Sequence, residues 1–519
     1  MVRIALTVLM FLNATTHLAA EEPSQKTNAA ATFAINGFAC DLYHQLANTN
    51  HGENLFFSPY SISSALMMTV EGASNETAFE MGHVLNFPDS MKLADQQNRW
   101  NMPDIHAGIA ALNARLRETD PQIVVAAEKR MAELLPKLTA LRRQIASLQH
   151  EQKYREAAEL ASQDRAFVKQ LEQQHARIKH YEVRMANALW GEKSFPFRNE
   201  FVTEISQRYE TGGLIPVDFR NNHEAARQSI NTWVEQQTRN RIQELLSPGT
   251  VDPTTRLVLT NAIYFKGDWE VPFKADNTKP EDFYLANGEL KKVPLMTQRD
   301  HTAARYAAFN ADGSFFDSPA QMERGQTEGL YPESGGFAAL ELPYEGGALS
   351  MELIAPVDKD GLPTVEALLS AENLENWTRK LKQRETHVYM PKVKLETKYQ
   401  LGEGGRTPSG TLPAMGMVRA FKDPAFGEGA QFDRMMSSTD PNDRLYIGNV
   451  IHKAFLDINE KGTEAVAATA VIMMDPTSAV PADLIDFIPT FRADRPYLCL
   501  IRDRQSGTLL FMGRVSNPG

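Results

Sequence analysis

The segment Arg256-Leu-Val-Leu-Thr-Asn-Ala-Ile-Tyr-Phe-Lys266 is apolar almost without interruption and does not alternate. Such a run fits a strand buried on both faces of a sheet. The 519 residues are enough for a sizeable core. Length alone would allow about three domains at roughly 150 residues each. Helical spacing dominates the first half. It runs over 31–50, then from Pro59 behind Ser58 to Val70, then through Ile105, Ile109, Leu112 and Leu116, and again over 224–246. Strand-like patterns dominate the second half: Phe337–Leu342, Leu349–Ile354, His387–Leu395, Tyr446–Ile458, Tyr497–Arg502 and Thr508–Val515. Val183, Met185, Asn187 and Leu189 begin the change. Helices first and strands later predict an α+β organisation. Two weakly patterned stretches, 307–335 and 402–413, read as loop insertions.

One segment differs in character. From Val124 to His180 there is no glycine, and Ala, Leu, Glu, Gln, Lys and Arg prevail. Leu138, Leu141, Ile145 and Leu148 recur at spacings of three and four, as in a coiled-coil seam. Leu160, Phe167, Leu171 and Ile178 continue the stripe. The spacing predicts a helical hairpin across 120–180 that turns near His150–Tyr154, with Pro136 kinking or delaying its first arm. A solvated arm packed on itself and a docking or self-association element over 122–179 are both open readings.

Other classes are disfavoured. The net charge of −11 gains nothing from a nucleic-acid backbone. The two cysteines, Cys40 and Cys499, lie at opposite ends in apolar surroundings, which favours buried free thiols over a disulfide framework. No CxxC, HExxH or dense His/Cys cluster points to a metal, and no GxSxG or GxxxxGK[ST] motif or cofactor fingerprint is found. Arg3, the apolar Ile4–Leu12 and the small pair Ala19-Ala20 read as an export signal over 1–20, so the mature chain is expected outside the cytoplasm, extracellular or periplasmic. The apolar run falls short of the about 20 residues that a spanning helix needs, and no membrane partner is expected.

The segment Glu460-Lys-Gly-Thr-Glu-Ala-Val-Ala-Ala-Thr-Ala-Val471 is unusual in its small residues. Alanine favours helix, so an isolated helix is one reading. If the chain is extended, Thr463, Ala465, Ala467 and Thr469 share one face, while Glu464, Val466, Ala468 and Ala470 share the other. The first set could pass beneath a packed core without steric conflict. Gly462 permits an unusual backbone turn where strand becomes loop.

Several motifs in order resemble the serpin family of protease inhibitors. They are Asn54-Leu-Phe-Phe-Ser-Pro-Tyr-Ser61, Thr260-Asn-Ala-Ile-Tyr-Phe-Lys-Gly-Asp-Trp269 with Pro272-Phe273, and His387-Val-Tyr-Met-Pro-Lys-Val393. Gly416-Met-Val-Arg-Ala-Phe421, His452-Lys-Ala454 through Asp457-Ile-Asn-Glu-Lys-Gly-Thr463, and Phe511-Met-Gly-Arg-Val-Ser-Asn-Pro518 complete the set. The resemblance runs over 31–519 and implies one domain: a large central sheet, two smaller sheets, about nine helices and an exposed reactive-centre loop. The hairpin interrupts it, and Leu141–Leu148 with Tyr154–Leu160 weakly resembles the short UVR-type interaction hairpin.

The resemblance implies a non-enzyme that traps a serine protease, or a cysteine protease, as a suicide substrate. The bait loop is cut, an acyl-enzyme forms, and the loop enters the main sheet as a new strand. Glu460, Gly462, Thr463, Ala465, Ala467 and Thr469 would form the hinge, and none of the inward positions is charged or large. A non-inhibitory relative working as a binding or chaperone protein through the hairpin is the alternative. Counting sixteen residues beyond Glu460 puts the scissile bond at Pro476-Thr477, with Met474 and Val480 as further candidates. No basic residue lies between Gly462 and Phe491, which disfavours a trypsin-like target and suits elastase-, chymotrypsin- or subtilisin-like ones. Ser58, Ser61, Asn261 and His452 would form a hydrogen-bonded cluster where the sheet parts, and Trp269 would stand at the top of the sheet, where the loop enters. Ser, His and Asn also invite a catalytic-triad reading, and each could instead be a turn, cap or core residue.

Overall fold

The structure, a computed structural model, describes residues 25–93, 100–116, 121–175, 178, 181–209, 213–323, 326, 328–438, 440, 443–463 and 484–519. The described residues hold eleven α-helices, two of them the inserted arms. The first eight are α1 (Gln25–Thr49), α2 (Pro59–Val70), α3 (Asn75–Val84), α4 (Pro103–Leu116), α5 (Pro121–His150), α6 (Tyr154–His175), α7 (Asn199–Arg208) and α8 (Phe219–Gln237). Ser58 caps α2: its Oγ accepts from the Ser61 N–H at 3.1 Å, and Pro59 takes the first helical position, where no N–H is needed. Every residue of α2 is buried, so this helix runs through the interior.

The expected hairpin is present. Helices α5 and α6 are joined at Glu151–Lys153, with Gln152 in the left-handed region at φ 60°. The helix runs unbroken through Pro136. Ala127, Met131, Leu134 and Leu138 on α5 meet Val168 and Leu171 on α6 in a buried cluster of their own. Arg142 and Asp164 pair at 2.7 Å further along the same seam.

The strands that carry the site are, in chain order, β1 (Tyr181–Glu192), β2 (Leu214–Val217), β3 (Leu257–Asp268), β4 (Gln321–Glu323), β5 (Thr386–Pro391), β6 (Val393–Glu403), β7 (Asn449–Asn459), β8 (Gly462–Thr463), β9 (Leu484–Asp486) and β10 (Thr490–Arg492). A six-stranded sheet runs β6-β7-β8-β3-β1-β2, with β7 also paired directly to β3. An eight-stranded sheet includes Leu349–Pro356, Tyr497–Asp503 and Leu509–Val515. A four-stranded sheet contains β10 and β5, and β9 pairs β4 in a two-stranded ribbon.

Strand β3 is buried on both faces, as its apolar run predicts. Ile263 and Phe265 pack with Leu340, Met351 and Phe511 of the eight-stranded sheet, while Val258 and Ala262 join Trp190, Ile230 and Val234 beneath α8. Cys40 and Cys499 are buried and free. Burial pushes both thiols up to about 12, so neither is a thiolate at neutral pH.

Three segments depart from the sequence reading. Helix α8 ends at Gln237 rather than continuing to 246, because Arg239 and Asn240 take left-handed conformations at φ 50° and 60°. The single strand expected over His387–Leu395 is two strands, β5 and β6, in different sheets. Pro391, which has no N–H to donate to a ladder, closes the first of them. Within the expected 307–335 insertion, β4 forms and pairs with the chain that follows the bait segment.

Candidate functional site

The centre of the six-stranded sheet holds a seam. Strands β3 and β7 run parallel and pair from Val258/Asn449 to Tyr264/Phe455. Beyond that level β8 lies between them, antiparallel to both. Thr463 is opposite Gly267 on one side and Ile458 on the other, and Gly462 is opposite Asp268 and Asn459. The seam is thus closed along most of its length and forked at one end by the first residues of the bait segment.

Asn187, Asn261 and His452 sit in one cross-strand row on β1, β3 and β7. The row spans the seam, and the start of α2 lies against it. Asn261 Nδ2 donates to Ser61 Oγ and to Asn187 Oδ1, both at 2.8 Å. Ser61 Oγ donates to Asn187 Oδ1 at 2.8 Å, and Asn187 Nδ2 donates to the Ser61 carbonyl at 3.1 Å. Ser58 Oγ donates to the Leu510 carbonyl at 2.6 Å. The His452 Nε2 accepts from the Ser58 N–H at 3.1 Å, so the proton of the neutral ring lies on Nδ1, which donates to Asn261 Oδ1. All five side chains are buried. Burial pushes the His452 imidazole down to about 3, so it is neutral at physiological pH.

This geometry removes the triad reading. A general base needs a free acceptor beside a nucleophile, but both His452 nitrogens are engaged and both serine hydroxyls donate elsewhere. The cluster is a hydrogen-bonded clasp across the seam. A strand entering between β3 and β7 has to break the link between Asn261 and His452.

The forked end is held by a second set of contacts. Trp269 stacks on Tyr344 with centroids 4.7 Å apart and 9° between planes, and its indole donates to the Asn459 carbonyl at 3.0 Å. The Trp269 N–H donates to the Lys461 carbonyl, and the Phe273 N–H to the Glu460 carbonyl, each at 2.7 Å. The Glu460 carboxylate accepts from Thr278 at 2.8 Å and pairs with Lys392 at 2.8 Å. Partial burial would raise its pKa, but the bonds from Lys392 and Thr278 and at its own backbone prevail and hold it below the usual range. Thr463 is buried with its side chain toward Tyr344. A Cβ at Gly462 would lie 2.0 Å from the Gly267 carbonyl oxygen, so only glycine fits this close approach.

The structure therefore brings Ser58, Ser61, Asn261 and His452 together, and puts Trp269 apart from them, beside Glu460, Gly462 and Thr463. Ala465, Ala467, Thr469, Met474, Pro476, Thr477 and Val480 lie outside the described residues, as does the leader over 1–20. Sequence reasoning missed Asn187, Tyr344, Lys392 and Thr278. Asn187 had a usable signal, a polar residue between Met185 and Leu189 on an otherwise apolar strand face. Among the described residues no group of three or more His, Cys, Asp or Glu could hold a metal, and no helix is long and apolar enough to cross a membrane.

The serpin (serine protease inhibitor) family profile matches residues 33–133 and 131–518. The chain is 32% identical over 489 residues to the leukocyte elastase inhibitor of Xenopus tropicalis, covering 93% of this chain and 98% of that protein. It is 33% identical over 487 residues to an uncharacterized serpin-like protein of Thermococcus kodakarensis, covering 93% of this chain and 85% of that one. Uncleaved ovalbumin has the same fold, with a TM-score of 0.64 at 24% identity over 94% of this chain and 100% of its own. With the profile matched along nearly its whole length, the chain belongs to the serpin family.

Proposed function

We propose that this protein inhibits a serine protease by suicide-substrate trapping. One observation carries the reading: β8, the first step of the bait segment, already lies antiparallel between the parallel strands β3 and β7. Further strand from the same segment would continue both ladders without reversing direction. In this mechanism the protease serine oxygen attacks the bait carbonyl. The peptide nitrogen leaves with a proton from the protease histidine, and the acyl ester remains. The severed loop then extends β8 down the seam, carries the acylated protease with it, and distorts the site that would hydrolyse the ester. The protein itself performs no catalysis.

The absence of basic residues from 463 to 490 supports an elastase-, chymotrypsin- or subtilisin-like target, and the leukocyte elastase inhibitor among its relatives agrees with that preference. The scissile bond falls between Met473 and Pro481, and a cysteine protease of the same cleavage preference is a second target class. The reading includes export, with residues 1–20 removed and action outside the cytoplasm.

The test mixes the mature protein with elastase, chymotrypsin, subtilisin and trypsin, followed by denaturing gels and mass spectrometry. A denaturant-stable band at the summed mass, with the cut within 473–481, is the expected result. Clean cleavage there with no covalent complex and no gain in thermal stability overturns it. That outcome would leave a binding role for the hairpin, whose self-contained core and exposed Tyr154 beside its turn favour that second reading.

A further inference from the structure

The two arms of the hairpin are unevenly matched. Toward the body, large side chains of α5 meet large ones of α6 in the buried cluster. Toward the turn, the seam of α5 continues with Ile145 and Leu148. The seven-residue spacing that carries Val168 and Leu171 puts only Ala161, Ala157 and the polar Asp164 on that part of α6. Two alanines cannot cover an isoleucine and a leucine, and both larger residues stay half-buried. Tyr154, one repeat before Ala161, continues the seam and is 67% exposed.

The two sides of this seam differ in charge. In an antiparallel pair of helices the heptad positions g of both arms line one side and the positions e the other. Position a falls at Leu138 and Ile145 on α5 and at Ala161 and Val168 on α6. The e side therefore holds Arg142, which pairs with Asp164 at 2.7 Å, and Arg165. Arg143, Arg155, Glu159 and Lys169 lie exposed behind it, which makes this a solvated face. The g side carries Leu160 and Phe167, both half-buried, across from Gln144. Ala140, Ser147 and Gln163 are exposed beside them. No charge lies on this side between Lys137, toward the body, and Glu151 and Glu156 at the turn. An uncharged strip with apolar side chains and a charged rim has the make-up of a contact surface.

We propose that this uncharged side is where two copies of the chain pair, hairpin against hairpin and antiparallel, as a four-helix bundle. The strip is basic at one end and acidic at the other, so it complements itself when one hairpin is reversed against a second. Lys137 of each copy then meets the acidic turn of the other, and Leu160 falls near the two-fold axis. Phe167 of one copy comes level with Tyr154 of the other, and the bodies stand at opposite ends of the bundle. An overlap of about 19 residues is about 28 Å long, and two helices side by side are about 20 Å wide. Each copy thus covers about 550 Å², and the pair about 1,100 Å², the lower end for specific interfaces. This suits a reversible dimer with a Kd in the micromolar range. The solvated reading of the hairpin then applies to one side and the self-association reading to the other. The pairing needs no protease, so its failure would leave the trapping reading untouched.

The test is sedimentation equilibrium of the protein in low salt, from about 1 to about 100 µM. The parent is expected to rise toward twice the mass of one chain. Leu160→Glu is expected to weaken pairing at least about tenfold with helix content unchanged. Lys137→Glu and Glu156→Lys each set like charges across the contact, and each alone is expected to weaken it about tenfold. Both positions are exposed, so neither substitution disturbs the hairpin itself. An equimolar mixture of the two charge variants is expected to pair as the parent does, because both contacts between unlike copies become attractive. A parent that remains a single chain at about 100 µM overturns the proposal. Pairing that persists unchanged in Leu160→Glu and in both charge variants also overturns it, as does a mixture that pairs no more tightly than its components.

Discussion

The Tyr344 hydroxyl lies 2.8 Å from Thr463 Oγ1, and both residues are buried at the forked end of the seam. This contact joins the bait hinge to the end of a strand in the eight-stranded sheet. Tyr344→Phe keeps the stack on Trp269 but leaves the threonine hydroxyl without that partner. The expected cost is about 1 kcal/mol. Hydrogen exchange should show protection at Gly462 and Thr463 falling about fivefold while the sheet core is unchanged.

Gly462→Ala should have a stronger effect. Its Cβ would collide with the Gly267 carbonyl, so β8 must leave the seam. Insertion then starts one step further back and loses the race with hydrolysis of the acyl-enzyme. Titration against a susceptible protease should show more molecules cleaved for each one trapped. An unchanged ratio would mean that β8 is not the starting point of insertion.

The clasp across the seam predicts a different phenotype. Asn261→Ala deprives Ser61, Asn187 and His452 of a shared buried partner. The expected loss is about 2–4 kcal/mol in stability, read as a lower denaturation midpoint, together with faster spontaneous conversion at elevated temperature. Ser58→Ala removes a helix cap, and should cost about 1 kcal/mol without opening the seam as readily.

Acid should weaken the fold through two histidines. Burial pushes His452 from 6.5 down to about 3 and His301 from 6.5 down to about 4. Between pH 6.5 and these values the unfolded chain binds protons that the folded chain does not, so stability falls as pH falls. The effect is absent above pH 6.5. Each group contributes at most about 1.4 kcal/mol per pH unit. Denaturant midpoints from pH 8 to pH 4 in the parent and in His452→Gln check this, and the variant should show a shallower slope, with His301 and shifted carboxylates such as Glu460 supplying what remains.

The hairpin should be separable from the body. Its apolar residues form their own cluster, and its roots are already close, with the Tyr181 hydroxyl donating to the Arg115 carbonyl at 3.0 Å. Replacing 122–179 by a short flexible linker should leave the thermal transition within a few degrees. Tyr181 is opposite Gly267, which is itself opposite Thr463, so a change in trapping after deletion would show coupling through β3. Unchanged mass in solution together with unchanged inhibition would remove the docking and self-association readings.

Much of this was legible locally. The unbroken apolar run of Leu257–Phe265 determined a strand buried on both faces, because no solvent-facing pattern could accommodate it. Heptad spacing determined the hairpin, and Ser58-Pro59 determined where α2 begins. These are local periodicities and caps, whose physics acts over a few residues. The roles of Ser58, Ser61, Asn261 and His452 were suggested by ordered motifs and by nothing in their spacing. Only the tertiary structure decided that Asn187 completes their network, that Tyr344 is the residue on which Trp269 stacks, and that a weakly patterned insertion pairs with the far root of the bait segment. Those relationships depend on strand register between segments that are far apart in the chain. Register is set by the packing of whole faces together, which no local window of sequence contains.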